Sequence, residues 1–339
     1  MSIDGTARRL ARVAVMVTGG TIDSVGTDRL DLAWYFEADT RLQAGELVAL
    51  IPELASLATV EEIPFRRLPS HGLAIADWLE LLRQADAILA SGRADGIVIA
   101  HGTNTLEETA YFLGLTLKTD RPVVLVGAMR PASAVSADGP LNLLNAVRVA
   151  ADPRSAARGV LVVLNDTIHG ARDVTKAATY RVDAFQSRDG GPLGYADADG
   201  QVVYHHQTAR RHTTDTEFDV RHAKDLPRVD IVVSYVGADG ALIHAAVSAG
   251  AKGIVSAGTG SGRPTPAEDA ALDRACAQGV VVCQSTRVGS GRVVRSPSLT
   301  RRGFVAAGDL QPWKARILLA LALDRTSDPS DIQRMFDEY

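Results

Sequence analysis

The sequence predicts an α/β protein of two domains. Short apolar runs of strand length alternate with stretches of helical periodicity, which is typical of a parallel sheet covered by helices on both faces. With 339 residues, of which 46% are hydrophobic and 22% charged, the chain is long enough for two cores. The alternation lapses once into a polar stretch and then resumes, so we expect one domain on each side of that stretch.

The first alternation extends from the amino terminus to about residue 205. It predicts strands at residues 13–17, 96–100, 123–127 and 160–164, and helices at residues 77–89, 106–117 and 141–149. The polar, charged stretch that follows is long for a connection inside a compact domain. We therefore place a first domain at 1–205, an interdomain linker at 206–228 and a second domain at 229–339.

The second domain repeats the alternation on a smaller scale. Strands are predicted at residues 231–235, 253–257 and 280–283, and helices from Ala241, from Pro266 and over residues 312–323. Proline is favoured at the first position of a helix, which supports the last two starts.

Charge and cysteine usage exclude several classes of partner. The formal net charge is −4, and acidic and basic residues are interspersed, so neither nucleic acid nor a membrane surface is an expected partner. Residues 1–12 lack the apolar core of a signal peptide, and we predict a cytoplasmic protein. Cys276 and Cys283 lack a set of partners for zinc, so we expect two reduced packing cysteines.

Two glycine-containing turns follow predicted strands. TGGTI at 18–22 follows the strand at 13–17, and HGTNT at 101–105 follows the strand at 96–100. Glycine lets the backbone approach a ligand, and α/β proteins bind small molecules at the carboxyl ends of parallel strands. We therefore expect the two turns to share one site.

The residue types in these turns suggest nucleophilic chemistry. Thr21 and Thr103 are candidate nucleophiles, although a threonine hydroxyl needs a nearby base or an oxyanion site to react. Lys176 follows another strand and could serve as the base, because desolvation lowers the pKa of a lysine amine. Neither turn has the glycine spacing of a phosphate-binding loop, and we expect no nucleotide, metal or other cofactor. Alternatively, each turn is only a helix cap, with Thr103 and Asn104 preceding a helix.

Longer motifs favour a functional role for the two threonines over helix capping, through a resemblance. The chain is similar to the bacterial-type L-asparaginases in TGGTIDS (18–24), HGTNTLEETAYFL (101–113), VGAMRPASAVSADGPLNLLNAV (126–147), NDTIHGARDVTK (165–176), GIVSAGTG (253–260) and the ending at 312–339. The resemblance spans essentially the whole chain. It implies a doubly wound, flavodoxin-like parallel sheet in the amino-terminal domain, a smaller α/β carboxy-terminal domain, and a homotetramer built from close dimers with sites between subunits.

The resemblance also implies roles for the candidate residues. Thr21 corresponds to the nucleophile that attacks a side-chain amide and becomes acylated, and Tyr35 to the loop tyrosine that closes over the substrate and polarises that threonine. Thr103 and Lys176 correspond to the pair that handles the proton and positions water, with backbone N–H groups near Thr103 as the oxyanion hole. For Tyr35 the alternative is aromatic packing beside its neighbours Trp34 and Phe36.

Five further residues are expected against the substrate. The resemblance assigns Ser70 to the substrate's α-carboxylate, and we expect the site to be completed by Gly20, His71, Gly102 and Asn104. Ser70 follows a proline, where a serine is usually only a turn residue, so its assignment depends mainly on the alignment.

The chain departs from the family where the α-ammonium of asparagine is held. The family uses a polar residue after the serine, an Asp after the second threonine and a Glu from a neighbouring subunit. Here His71 and the neutral Asn104 stand at the first two positions, and residues 287–302 contain no acid. A buried ammonium without its carboxylates can cost several kcal/mol. Alternatively, the missing charge comes from the loop acids Asp23, Asp28, Asp31 or Glu37. Asn104 would also remove a counter-charge from Lys176, which favours the neutral amine.

The function we expect is that of an amidohydrolase with a threonine nucleophile, converting L-asparagine and water to L-aspartate and ammonia through an acyl-enzyme. One alternative substrate is a related carboxamide that lacks or masks the α-amine, such as a dicarboxylic acid monoamide. A further alternative is a homologue that binds an amino acid without catalysis.

Overall fold

The computed structural model describes residues 9–339, and they form two compact units. Residues 9–74, 80–110 and 117–208 form unit 1, and residues 75–79, 111–116 and 209–339 form unit 2. The prediction that no signal peptide is present rested on residues 1–12. Of these, residues 1–8 lie outside the part of the chain that the structure describes. None of the helices in residues 9–339 is both long enough and apolar enough to span a bilayer.

Unit 1 is built on an eight-stranded sheet. Its strands, in chain order, are β1 (Ala11–Val17), β2 (Ala58–Ile63), β3 (Gly96–Ala100), β4 (Val123–Val126), β5 (Val160–Leu164), β6 (Thr167–Gly170), β9 (Gly194–Ala196) and β10 (Val202–Tyr204), and a separate hairpin is formed by β7 (Val174–Lys176) and β8 (Phe185–Ser187). The order across the sheet is β10-β9-β6-β5-β4-β3-β1-β2. The five strands from β5 to β2 are parallel, and β6, β9 and β10 extend the sheet in antiparallel fashion.

The central strands explain why the fold class could be predicted. Strands β3, β4 and β5 are completely buried, and β1 is buried from Val13 onward. Continuous apolar runs of this kind are typical of parallel strands that are covered on both faces. The helices that accompany the sheet are α1 (Glu46–Ala49), α2 (Leu54–Leu57), α3 (Ile75–Ala90), α4 (Leu106–Thr116) and α5 (Gly139–Ala151). The α/β prediction is confirmed for this part of the chain.

The antiparallel part of unit 1 was not predicted. Strands β6 to β10 are three or four residues long, and in β8 and β9 an exposed residue, Gln186 or Tyr195, lies between two buried ones. Segments this short do not develop a clear alternation, so tertiary pairing rather than local pattern determines them.

Unit 2 contains a four-stranded parallel sheet in chain order. Its strands are β11 (Val229–Val233), β12 (Gly253–Gly258), β13 (Val281–Thr286) and β14 (Val305–Ala306), and its helices are α6 (Ala241–Ser248), α7 (Pro266–Ala277), α8 (Pro297–Arg302), α9 (Pro312–Leu323) and α10 (Pro329–Glu338). Proline begins four of these helices, and a reciprocal capping box between Thr265 and Glu268 supports the start of α7. Cys276 and Cys283 are both free thiols.

Most of the segment at 206–228 is packed onto unit 2. The Thr216 hydroxyl donates a hydrogen bond to the carbonyl oxygen of Leu115 (2.6 Å), and the buried ring of Phe218 lies 5.0 Å from that of Tyr339. The segment lacks regular helix or strand apart from one short 3₁₀ turn, Thr213–Asp215, which is why its pattern reads as a connection.

Candidate active site

The two glycine-containing turns lie against each other in unit 1. Strands β1 and β3 are parallel neighbours whose last residues, Val17 and Ala100, are paired, so both turns leave the same edge of the sheet. Gly20 has φ 118°, and a Cβ atom placed on it would lie 2.3 Å from the Cα atom of Gly102. Only glycine fits this approach, because any side chain at Gly20 would collide with the backbone of the second turn.

A cavity of about 1020 Å³ opens over the two turns. Its lining includes all nine residues expected in the site, namely Gly20, Thr21, Tyr35, Ser70, His71, Gly102, Thr103, Asn104 and Lys176. The structure thus brings together residues that span more than 150 positions of the chain. Within residues 9–339 no group of His, Cys, Asp and Glu side chains is arranged to hold a metal ion.

Thr21 is hydrogen-bonded to the loop tyrosine. It opens a 3₁₀ turn, Thr21–Asp23, directly after Gly20, and its Oγ1 lies 2.8 Å from the hydroxyl oxygen of Tyr35. Burial raises the pKa of Tyr35, so the phenol stays neutral. The neighbouring rings of Trp34 and Phe36 are 67% and 62% exposed. The tyrosine therefore contacts Thr21 through its hydroxyl, and its ring also lies edge-on to that of Phe36, with the centroids 6.2 Å apart.

The second hydroxyl is paired with the lysine. Lys176 is the last residue of β7, and its Nζ donates a hydrogen bond to Oγ1 of the buried Thr103 (2.8 Å). Burial lowers the pKa of Lys176, whereas the charge of Glu107 opposes this effect. Thr103 uses its hydroxyl toward Lys176, and α4 begins three residues later, so the helix-cap alternative does not account for this contact.

Two polar residues near this pair were missed by the sequence analysis. Glu107, on the first turn of α4, is only 6% exposed, and its Oε1 accepts the backbone N–H of Lys176 (3.0 Å). His101 is fully buried, with Nδ1 2.8 Å from the carbonyl oxygen of Gly102 and Nε2 3.0 Å from the hydroxyl of Thr109. Burial lowers the pKa of His101 to about 4, so it is a neutral residue that holds the Gly102 carbonyl. Burial of these polar side chains has no signature in the sequence pattern.

Ser70 lies beneath the second turn. It is 4% exposed, its Oγ accepts the backbone N–H of Asn104 (3.2 Å), and its carbonyl oxygen accepts a hydrogen bond from Thr105 Oγ1 (2.9 Å). The side chains of His71 and Asn104 are exposed at the cavity. Ser70 is therefore more than a turn residue, because it ties its own turn to the HGTNT turn.

The structure also places the loop acids that we considered as an alternative source of negative charge. None of Asp23, Asp28, Asp31 and Glu37 lines the cavity. The Asp23 side chain is completely buried, 3.3 Å from Arg41 and 3.8 Å from Arg67, and burial raises its pKa. Asp31 instead accepts the backbone N–H of Trp34 (2.8 Å), which shapes the loop.

The charged residues that do line the cavity are mostly cationic. Asp39 is the acid among the described lining residues, and it is paired with Arg41 (3.0 Å). Lys176 and Arg181 are the other charged lining residues, and Arg181 is paired with Asp183 (3.2 Å). The described residues that line the cavity therefore offer no unpaired carboxylate to a ligand ammonium.

Comparisons with known proteins show the family to which the chain belongs. The family models for "Asparaginase, N-terminal" and "Glutaminase/Asparaginase C-terminal domain" match residues 12–210 and 228–336. L-asparaginase 2 of Escherichia coli is 43% identical over 100% of this chain and 96% of its own, and L-asparaginase 2 of Bacillus subtilis is 42% identical over 97% and 87%. The crystal structure of a probable cytoplasmic L-asparaginase from Campylobacter jejuni superposes with a TM-score of 0.88 at 40% identity, covering 97% of this chain and 100% of that one. The chain belongs to the asparaginase family and is an asparaginase-type amidohydrolase.

Proposed function

We propose that the protein hydrolyses the side-chain amide of L-asparagine to L-aspartate and ammonia, with Thr21 as the nucleophile. The observation that carries this proposal is that two threonine hydroxyls face one cavity, each 2.8 Å from its own partner, Tyr35 for Thr21 and Lys176 for Thr103. Two activated hydroxyls suit a reaction of two half-steps, one that acylates the enzyme and one that delivers water. The relatives named as asparaginases support the same substrate.

In the first half-reaction Thr21 Oγ1 attacks the amide carbon and ammonia leaves. The Thr21 proton passes through the neutral Tyr35 hydroxyl to the departing nitrogen, so the C–N bond breaks as the C–O ester bond forms. We assign the oxyanion to backbone N–H groups of the turn at Thr103, where Gly20 and Gly102 leave no side chains in the way. The loop that carries Tyr35 keeps water from the acylation step.

In the second half-reaction water cleaves the ester. The Lys176 amine, whose pKa is lowered by burial, takes a proton from the water that Thr103 positions. The hydroxide adds to the acyl carbon, the C–O bond to Thr21 breaks, and the proton returns to the Thr21 oxygen. Ser70 and Asn104, which are already hydrogen-bonded to each other, are assigned to the substrate's carboxylate.

A second candidate substrate is a dicarboxylic acid monoamide without the α-amine. The observation that favours it is the lining of the cavity, where Asp39 is paired with Arg41 and the residue beside Thr103 is the neutral Asn104. In such a site the α-ammonium contributes little to binding, because an ammonium is held strongly only by an unpaired carboxylate.

Comparing asparagine with succinamate measures the contribution of the α-ammonium. We expect the two kcat/KM values to lie within about tenfold of each other. Losing one partner of a buried charge pair would cost about 2–5 kcal/mol, and the described residues that line the cavity offer no unpaired carboxylate for such a pair. Ammonia release is the assay for both. A preference for asparagine of about 10³-fold or more, equivalent to about 4 kcal/mol, would contradict this interpretation of the pocket.

We further propose a homotetramer of close dimers. Unit 2 exposes several apolar side chains near two of its loops, with Val236 99%, Val294 62% and Leu242 55% exposed. Exposed apolar residues in this number are typical of an interaction surface. Light scattering after gel filtration should give four times the chain mass, and Val236→Lys should lower this mass. A monomeric wild-type protein would contradict the proposal.

We also propose that the protein is located in the cytoplasm, which cell fractionation tests.

A further inference from the structure

Glu107 is a buried carboxylate beside the proposed catalytic pair, and neither half-reaction uses it. It lies on the first turn of α4, four residues after Thr103, and is 6% exposed. A buried carboxylate is costly unless hydrogen bonds or charges compensate it, so its place next to Lys176 calls for a reason.

Glu107 and Thr103 accept hydrogen bonds from the backbone N–H and from the side-chain amine of Lys176, respectively. Glu107 Oε1 accepts the backbone N–H of Lys176 at 3.0 Å, while Thr103 Oγ1 accepts from Lys176 Nζ at 2.8 Å. Lys176 ends a three-residue strand whose partner is the equally short β8. Because so short a hairpin constrains its last residue weakly, the contact with α4 fixes where the lysine enters the cavity.

The charge of Glu107 also acts on the amine. Burial lowers the pKa of Lys176, and Glu107 is the ionisable group that raises it. The other charged side chains that line the cavity are already paired, Arg41 with Asp39 and Arg181 with Asp183. The residue directly after Thr103, Asn104, is neutral, so the carboxylate in contact with Lys176 is that of Glu107, at the lysine's backbone N–H.

We propose that Glu107 is the positioning residue of the Thr103–Lys176 pair: it fixes the backbone of Lys176 and supplies a negative charge beside that lysine. This inference rests on the proposed role of Lys176 as the base. It assigns the counter-charge of Lys176 to Glu107 on α4, and not to Asn104, the residue directly after Thr103. A purely structural role, in which the carboxylate only stabilises the start of α4, is the competing explanation.

Two substitutions separate the charge from the hydrogen bond. Glu107→Gln keeps a side-chain oxygen that can accept the Lys176 N–H but removes the charge. In this variant the pKa of Lys176 should fall, because a negative charge near the amine has been removed. We therefore expect the acid limb of the pH profile of kcat/KM to move to lower pH by about one unit. Glu107→Ala removes both functions and should lower kcat about tenfold with little change in KM, since the base is misplaced but the substrate contacts remain.

Glu108→Gln is the matched control, because it alters the next carboxylate on the same turn and Glu108 does not act on the pKa of Lys176. It should keep the wild-type pH profile. If Glu107→Gln also keeps that profile, or if Glu108→Gln shifts it equally, the inference is overturned. Equal losses of activity and melting temperature in Glu107→Gln, with no shift of the profile, would indicate the structural role instead.

The proposed function can fail separately. If Lys176→Met leaves activity near the wild-type level, Lys176 is not the base and the proposed mechanism fails. If Lys176→Met is inactive but Glu107→Gln has the wild-type profile, only the assignment of Glu107 fails.

Discussion

Replacing Thr21 by alanine should lower ammonia release from the best carboxamide by about 10⁴-fold or more, because the variant lacks the atom that becomes acylated. Thr21 is only partly buried, and its hydroxyl is hydrogen-bonded to the Tyr35 hydroxyl on a loop, so the fold should be preserved. A coupled ammonia assay measures the loss, and circular dichroism with thermal melting verifies the folded state.

Thr21→Ser is the matched control for this result. Serine keeps the hydroxyl that faces Tyr35 and loses only a methyl group. We therefore expect the activity of Thr21→Ser to be lower than that of the wild type by no more than about a hundredfold. A folded Thr21→Ala protein with undiminished turnover would show that the hydroxyl of Thr21 is only part of the turn.

Lys176→Met should lower kcat by about 10²–10⁴-fold, the usual range for loss of a general base. Methionine is similar in length to lysine and can occupy the half-buried space of the Lys176 methylene chain, but it has no amine to donate a hydrogen bond to Thr103. The measurement is steady-state kinetics on asparagine and on succinamate, and both substrates should lose kcat alike, because the base acts on water and not on the α-substituent.

Lys252→Met serves as the control for lysine removal. Lys252 is exposed and precedes β12, so its loss should leave kcat unchanged. Activity of Lys176→Met within tenfold of the wild type on both substrates would be incompatible with Lys176 as the base.

The fold was predictable from sequence where packing is dense and regular. Strands β3 and β5 and helix α9 have the predicted limits, because continuous apolar runs and a proline at a helix start carry their own boundaries. The short antiparallel strands from β6 to β10 had no such pattern. They are defined by pairing with β5 and with each other, which is a tertiary effect.

The site was predictable in its turns and less so in its polar surroundings. The glycines of TGGTI and HGTNT indicated a close approach of backbone, and Gly20 and Gly102 do meet. Among the neighbours Trp34, Tyr35 and Phe36, only the family resemblance singled out Tyr35, and the hydroxyl contact with Thr21 is a tertiary feature that local sequence does not show. The roles of buried Asp23 and Glu107 also depend on distant arginine and lysine groups that local sequence does not bring together.

Trapping the covalent intermediate tests most directly whether Thr21 is the nucleophile. The wild-type enzyme is quenched in acid during turnover of its best carboxamide, digested, and its peptides are measured by mass spectrometry. We predict that the substrate's acyl group is attached to the peptide containing Thr21 and that this adduct is missing from Thr21→Ala. An adduct on Thr103 in its place, or no acylated peptide under conditions where ammonia is released in a burst, would contradict the mechanism.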